Sequence, residues 1–292
     1  MNHAHNLIGR TVFVAGLTAV SGIQAAPVVF SGSGAAAQTA FDEFTAAIGG
    51  AANRSRIGWD GVGLNGTDAN PATRTIDPGT VEIPVDRFRA AGAIFAEPYA
   101  VSGDGFAGVN PATAGQFPAF SPANTFVMFD STPGQFEERT IEQTFVLNGT
   151  DTPAATRGFG AIFVDVELAG SSIEYRGVDA AGNPVSLGTF DVETGASTDP
   201  QFLGVVFGGP IVTEVILTVG TNALFSFDGT NFQSFGPEDL AAGIDLAATD
   251  DFLFATPEPI QAVAVPVPAT LALLLPASLL YLLRRRASAS GS

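Results

Sequence analysis

Carboxylates are the only acid–base groups that this chain carries in number. It holds 29 Asp and Glu against 12 Lys and Arg, with two His and no Cys. All twelve cations are arginines. His3 and His5 stand at the N-terminal end, so the stretch from Ala26 to Leu283 offers carboxylates, hydroxyls, amides and eight arginines. No Ser-His-Asp or Cys-His arrangement can be built from that set. The nitrogen and sulfur ligands that zinc favours are missing as well. Two chemistries remain: holding a hard cation such as Ca²⁺ through oxygen, and acting in carboxyl pairs on a glycosidic bond.

Asp250 and Asp251, in "TDDFLFAT", are the first candidates for calcium. Neighbouring side chains of a strand point to opposite faces. At the start of a strand one of the two can leave the sheet and bind Ca²⁺ together with a backbone carbonyl, an expectation by analogy of fold with carbohydrate-binding jelly rolls. The alternative is a solvated edge that discourages strand pairing. Asp165 with Glu167, and Glu137 with Glu138, are the pairs a glycosidase would need, although two acids on one strand face are common. "DGVGLNGTD", Asp60 to Asp68, lacks the spacing of an EF-hand and reads as a loop. Trp59, the single tryptophan, is expected to pack in the core rather than stack on a sugar. Asn53, Asn65 and Asn148 begin Asn-x-Ser/Thr triplets and read as turn residues. A net charge of −17 without a basic cluster in the body argues against nucleic acid as a partner.

Short strands and many turns must position these groups. Gly (34), Pro (19) and Phe (24) are all plentiful, as such an architecture requires. One helix is predicted over about 35–48, with Phe41, Phe44 and Ile48 on one face and Gly49–Gly50 ending it. "GFGAIFVDVEL" reads as a strand with Phe159, Ala161, Phe163 and Asp165 on one side. "SSIEYRGV", "SLGTFDV", "FLGVVF", "IVTEVILTV" and "AATDDFLFAT" follow as further strands. The fold class expected is mainly β: an antiparallel β-sandwich, jelly-roll-like, with one short N-terminal helix. Residues 66–79 and 102–124 read as loop-like insertions.

Both ends of the chain read as targeting segments. Residues 1–25 have the n, h and c order of a secretory signal peptide: a polar start closed by Arg10, an apolar stretch from Thr11 to Ile23, and small residues up to Ala25. The expected partners there are the Sec translocon and signal peptidase. The alternative is an uncleaved anchor or a buried strand. Residues 262–283 carry no charge over 22 positions. Pro266 and Pro268 keep the first part extended, which leaves a transmembrane helix over about 269–283. Arg284, Arg285 and Arg286 are expected on the cytoplasmic side. On hydropathy alone, a permanent single-span anchor is the other reading.

The tail resembles the PEP-CTERM class of sorting signals of exported bacterial proteins. The resemblance rests on Val265, Pro266, Val267, Pro268 and Ala269, then the leucine run, then Arg284 to Arg286. Val267 stands where the class usually has glutamate, as in its VPxPA-type variant; a literal Pro257-Glu258-Pro259 lies upstream. The resemblance implies an exosortase-type transpeptidase as partner, with this chain as its substrate. It also implies passage from a single-pass inner-membrane intermediate to the cell envelope or extracellular matrix. "RSRIGWDG", "ATRGFGAIFVDVEL", "SSIEYRGVDAAGNPVSLGTF", "FLGVVF" and "DDFLFA" resemble an exported bacterial family of unassigned function.

The expected organisation is therefore a signal peptide (1–25), a sandwich domain (26–256), a Pro-rich linker (257–264), a sorting signal (265–286) and a short polar tail (287–292). The expected function is a structural or adhesive role at the surface or in the matrix, without enzymatic activity. A calcium- or carbohydrate-binding module of an exopolysaccharide matrix is the first alternative. A carboxylate-dependent glycoside hydrolase is the second.

Overall fold

The computed structural model describes residues 25–64, 73–179 and 182–260. The signal peptide, the sorting motif Val265–Ala269, the transmembrane helix and Arg284–Arg286 lie outside the described residues. The described chain is mainly β, built of antiparallel sheets with one α-helix.

In chain order the elements begin with β1 (Val28–Ser33), α1 (Ala35–Ala47), β2 (Arg54–Ile57), β3 (Arg74–Asp77), β4 (Thr80–Ile83), β5 (Ala93–Phe95) and β6 (Tyr99–Ser102). They continue with β7 (Thr125–Val127), β8 (Thr140–Phe145), β9 (Ala154–Ala155), β10 (Gly158–Val164), β11 (Ser172–Val178) and β12 (Pro184–Asp191). The last are β13 (Pro200–Val206), β14 (Val212–Thr218), β15 (Phe225–Phe227), β16 (Phe232–Ser234), β17 (Ala248–Ala255) and β18 (Glu258–Pro259). A nine-stranded sheet runs β1-β13-β10-β17-β7-β6-β4-β3, with β2 also paired to β17. A five-stranded sheet runs β12-β11-β14-β8-β5.

Burial explains the two kinds of strand sequence. The small sheet covers one face of the large one. Phe95, Phe126, Phe145, Phe159, Tyr175 and Phe252 fill the space between them. The other face of the large sheet is covered too, by α1, the β15–β16 hairpin and the connection from β6 to β7, around Phe44, Phe106, Ile162, Phe202, Phe225 and Leu253. Every residue of β10 and β17 is consequently buried, and both read as continuous apolar runs. β11 has one covered face and alternates, with Ile173 and Tyr175 inward.

The helix forms where its periodicity places it. Phe41, Phe44 and Ile48 are all buried. Gly49 and Gly50, at φ 107° and 72°, end it, and the Gly50 N–H donates to the Thr45 carbonyl at 2.9 Å. Gly204 lets the helix approach the sheet: a Cβ there would lie 2.7 Å from the Phe44 ring. One expectation is corrected. Part of 66–79 is not loop, because Arg74–Asp77 pairs with Thr80–Ile83 as a hairpin.

Four connections meet at one end of the sandwich: β6–β7, β10–β11, β12–β13 and β16–β17. The pairing of Val164 with both Pro200 and Ala248 puts the close of β10 beside the starts of β13 and β17.

Candidate metal centre

β10 ends at Val164, and the chain then turns sharply. Asp165 has φ 71°, a left-handed conformation that costs a non-glycine residue about 1–3 kcal/mol. The expected alternation of Phe159, Ala161, Phe163 and Asp165 therefore stops one residue early. The turn takes Asp165 out of the strand pattern, yet its side chain remains fully buried. Glu167 follows two residues later, half-buried.

The β16–β17 connection brings two more acids to the same place. Asp239 caps a short 3₁₀ turn at Leu240–Ala242, accepting from the Ala242 N–H at 3.1 Å. That turn folds the segment back, so that half-buried Glu238 and fully buried Asp245 both face the β10–β11 connection. One carboxylate oxygen from each of Asp165, Glu167 and Glu238 lies within 4.8 Å of the other two. Asp245 is close enough to Glu167 to share a proton with it.

Three of these carboxylates divide their oxygens between two tasks. Asp165 Oδ1 accepts from the Thr198 N–H and from Ser197 Oγ. Asp245 Oδ2 accepts from the Leu168 N–H at 2.9 Å. Glu238 Oε2 accepts from the Leu246 N–H at 3.1 Å. Asp165 Oδ2, Asp245 Oδ1 and Glu167 Oε2 are buried without a hydrogen-bond partner. Among the described residues, no arginine pairs with any of the four acids.

The electrostatic consequence is strong. Burial, and then the charges of Asp165, Glu238 and Asp245, push Glu167 up to about 8. Burial raises Asp165 against the opposing bonds from Thr198, Gln116 and Ser197. It raises Glu238 too, with Asp165 and Asp245 adding to the shift. Gln116 stands beside Asp165 and Glu238, but Asp165 Oδ2, Asp245 Oδ1 and Glu167 Oε2 stay without a donor, and buried acceptors so placed call for a shared proton or a cation. The donor set is oxygen only and highly charged, which suits Ca²⁺. At about 2.4 Å from each ligand, that ion bridges oxygens up to about 4.8 Å apart. Glycoside hydrolysis needs two carboxyls that reach a sugar from either side; of the expected pair, Asp165 is buried and Glu167 half-buried.

Asp250 and Asp251 are built differently. Both are fully buried, which rules out a solvated edge. They also share a face rather than opposing one another. The register of β10 against β17 shifts between Ala161 and Phe163, giving β17 one extra residue there. Asp250 Oδ2 accepts from the Phe120 and Ser121 N–H groups at 2.6 and 3.0 Å. Asp251 Oδ1 meets Ser121 Oγ at 3.5 Å. Arg56 takes both oxygens of Asp251, Nε at 2.7 Å and Nη2 at 2.6 Å. This is a clamp between β2, β17 and the β6–β7 connection, already closed by a resident cation. Burial, then the Asp251 charge, pushes Asp250 up to about 7.

The remaining candidates lie elsewhere. Glu138 binds its own neighbour, accepting from Thr140 Oγ1 at 2.6 Å. Glu137 is exposed. Trp59 is buried and stacks on Phe126, with ring centres 3.7 Å apart. Comparison of the chain with protein-family profiles, with curated proteins and with solved structures finds no match.

Proposed function

We propose that this chain is an exported β-sandwich module of jelly-roll type. It holds one calcium ion among Asp165, Glu167, Glu238 and Asp245, and serves a structural or adhesive role at the cell surface or in the extracellular matrix. The observation that carries the calcium reading is the convergence of carboxylate oxygens from Asp165, Glu167 and Glu238 within 4.8 Å of one another, with Asp165 Oδ2 and Glu167 Oε2 buried and unpartnered. Export is supported by the apolar segment and small residues of positions 1–25. Sorting by an exosortase-type enzyme is supported by Val265–Ala269, the leucine run and Arg284–Arg286. The module acts by being placed and held rigid, and it turns over no substrate.

Calorimetric titration of chelator-treated protein with CaCl₂ tests the cation site. One saturable site is expected, abolished in the Asp165→Asn, Glu167→Gln double variant. Absence of binding heat, together with an unchanged melting temperature at about 1 mM calcium, sinks the calcium reading. Mass spectrometry of the chain from its host tests the sorting reading. Loss of the residues after the Val265–Ala269 motif is expected, and an intact C-terminus at the final location refutes processing.

A further inference from the structure

We infer that the calcium site is a latch that closes one end of the sandwich only at the calcium concentrations found outside the cytoplasm; this inference rests on the calcium reading above. The carboxylates do more than face a common point. Each of three uses its second oxygen to hold a backbone N–H, and those N–H groups belong to segments far apart in the chain. Asp165 holds Thr198 of the β12–β13 connection. Asp245, from the β16–β17 connection, holds Leu168 of the β10–β11 connection. Glu238 holds Leu246 just before β17. Gln116, from the β6–β7 connection, stands beside Asp165 and Glu238. One ion between the inner oxygens therefore fixes the outer oxygens, and with them three loops, with Gln116 of a fourth against them.

Without the ion the same arrangement works against itself. Four acids with no arginine among them are forced together, two of them fully buried. Like charges this close are relieved in two ways: by taking up protons, or by moving apart. Moving apart releases Thr198, Leu168 and Leu246 together. The loops that would open already carry strain, because Asp165 and Thr198 both hold left-handed φ angles, 71° and 66°. Ser197 and Thr198 are exposed and half-buried Glu167 and Glu238 form the mouth, so the ion enters from solvent and keeps water in its remaining positions. Oxygen sites of extracellular modules bind calcium at about 0.1–1 mM. A site in that range stays open inside a cell and closes after export. The chain then crosses the membrane without a completed fold and locks on arrival.

Amide hydrogen exchange of the whole chain, with chelator and at about 1 mM CaCl₂, tests the latch alongside calorimetry. Calcium is expected to slow exchange by about tenfold or more in 165–171, 192–199 and 236–247, and to leave β4, β6 and β14 unchanged. Binding heat with no protection in those segments overturns the latch and leaves the calcium site standing. Absence of heat removes both. Glu167→Gln separates charge from shape. Its affinity for calcium is expected to fall at least tenfold, and about 1 mM CaCl₂ then gives these segments correspondingly less protection. Undiminished protection of that variant at about 1 mM CaCl₂ also overturns the latch, since the carboxylates would then not be what holds the loops.

Discussion

Thr198 donates its backbone N–H to Asp165 Oδ1, and both residues stand in the left-handed region, at φ 66° and 71°. Two of the four non-glycine residues with positive φ in the described chain thus meet across a single hydrogen bond. Such strain costs about 1–3 kcal/mol per residue and persists where the surroundings over-determine it. Here the surroundings are the two bonds that Asp165 Oδ1 accepts, from the Thr198 N–H and from Ser197 Oγ.

Position 198 accordingly separates conformation from bonding. Thr198→Gly keeps the N–H and removes the steric cost, so stability is expected within about 1 kcal/mol of the natural chain, with calcium affinity retained. Thr198→Pro cannot adopt positive φ and has no N–H; a loss of about 3 kcal/mol and at least tenfold weaker calcium binding are expected. Chemical denaturation and calorimetry measure both. Similar behaviour of the two variants would show that the bond to Asp165 is dispensable.

Much of the frame was readable from residue order, because period and burial coincide in it. Phe41, Phe44 and Ile48 repeat at helical spacing and are buried as a face, and Ile173 and Tyr175 alternate as a half-covered strand must. The sites were less readable, for two physical reasons. A bulge shifts the β17 register, which turns Asp250 and Asp251 to one side, and no local pattern in "TDDFLF" signals the extra residue. The acidic centre is assembled from distant segments. Asp165 and Glu167 stood out as a pair, but Glu238 and Asp245 join them only through the folding of the β16–β17 connection. Arg56, which decides the fate of Asp251, sits almost two hundred positions away from it in the chain. A turn-forming "GPEDLAAGID" with two acids placed seven apart was the available clue.

The centre makes stability depend on pH in opposite senses with and without calcium. Glu167 binds its proton more tightly folded than unfolded, pushed up to about 8 from the ordinary 4.5 of a glutamate. The ion-free fold is thus most stable, as far as this group is concerned, below about 4.5, and loses stability as pH rises to about 8. Calcium must displace that proton, so its affinity is expected to rise by up to about tenfold per pH unit between about 6 and 8, with proton release on binding. Titration in buffers of different ionisation enthalpy measures the released proton. A calcium affinity independent of pH in that range would place the ion elsewhere.

The Arg56–Asp251 clamp predicts a pH dependence of its own. Asp251 is fully buried, and Arg56 meets both its oxygens. Burial raises Asp251 despite this partner. Arg56→Met keeps a stem over Phe41, whose ring centre lies 6.0 Å from the guanidinium carbon, but strands the carboxylate. A loss of about 3 kcal/mol is expected at pH 7. The loss is expected to shrink as pH falls, because burial raises Asp251 and a protonated carboxyl leaves the arginine less to neutralise. Urea unfolding at falling pH checks it, and a constant loss would mean that the arginine acts through packing.

Asp250 gives the opposite experiment, because its charge has no cation of its own. Its Oδ2 is held by the Phe120 and Ser121 N–H groups, while Oδ1 is buried without a partner. The group sits near 7 because of burial and the neighbouring Asp251 charge. Folding therefore favours its protonated form, and the carboxylate subtracts stability increasingly as pH rises from about 4 to about 7. Asn keeps an oxygen for the two N–H donors and never ionises. Asp250→Asn is expected to match the natural chain near pH 4 and to exceed it by about 2 kcal/mol at pH 8. Its calcium affinity should be unaltered, since the ion is held by other residues. A variant that is less stable at every pH, or that loses calcium, would return Asp250 to the list of ligands and move the metal site to β17.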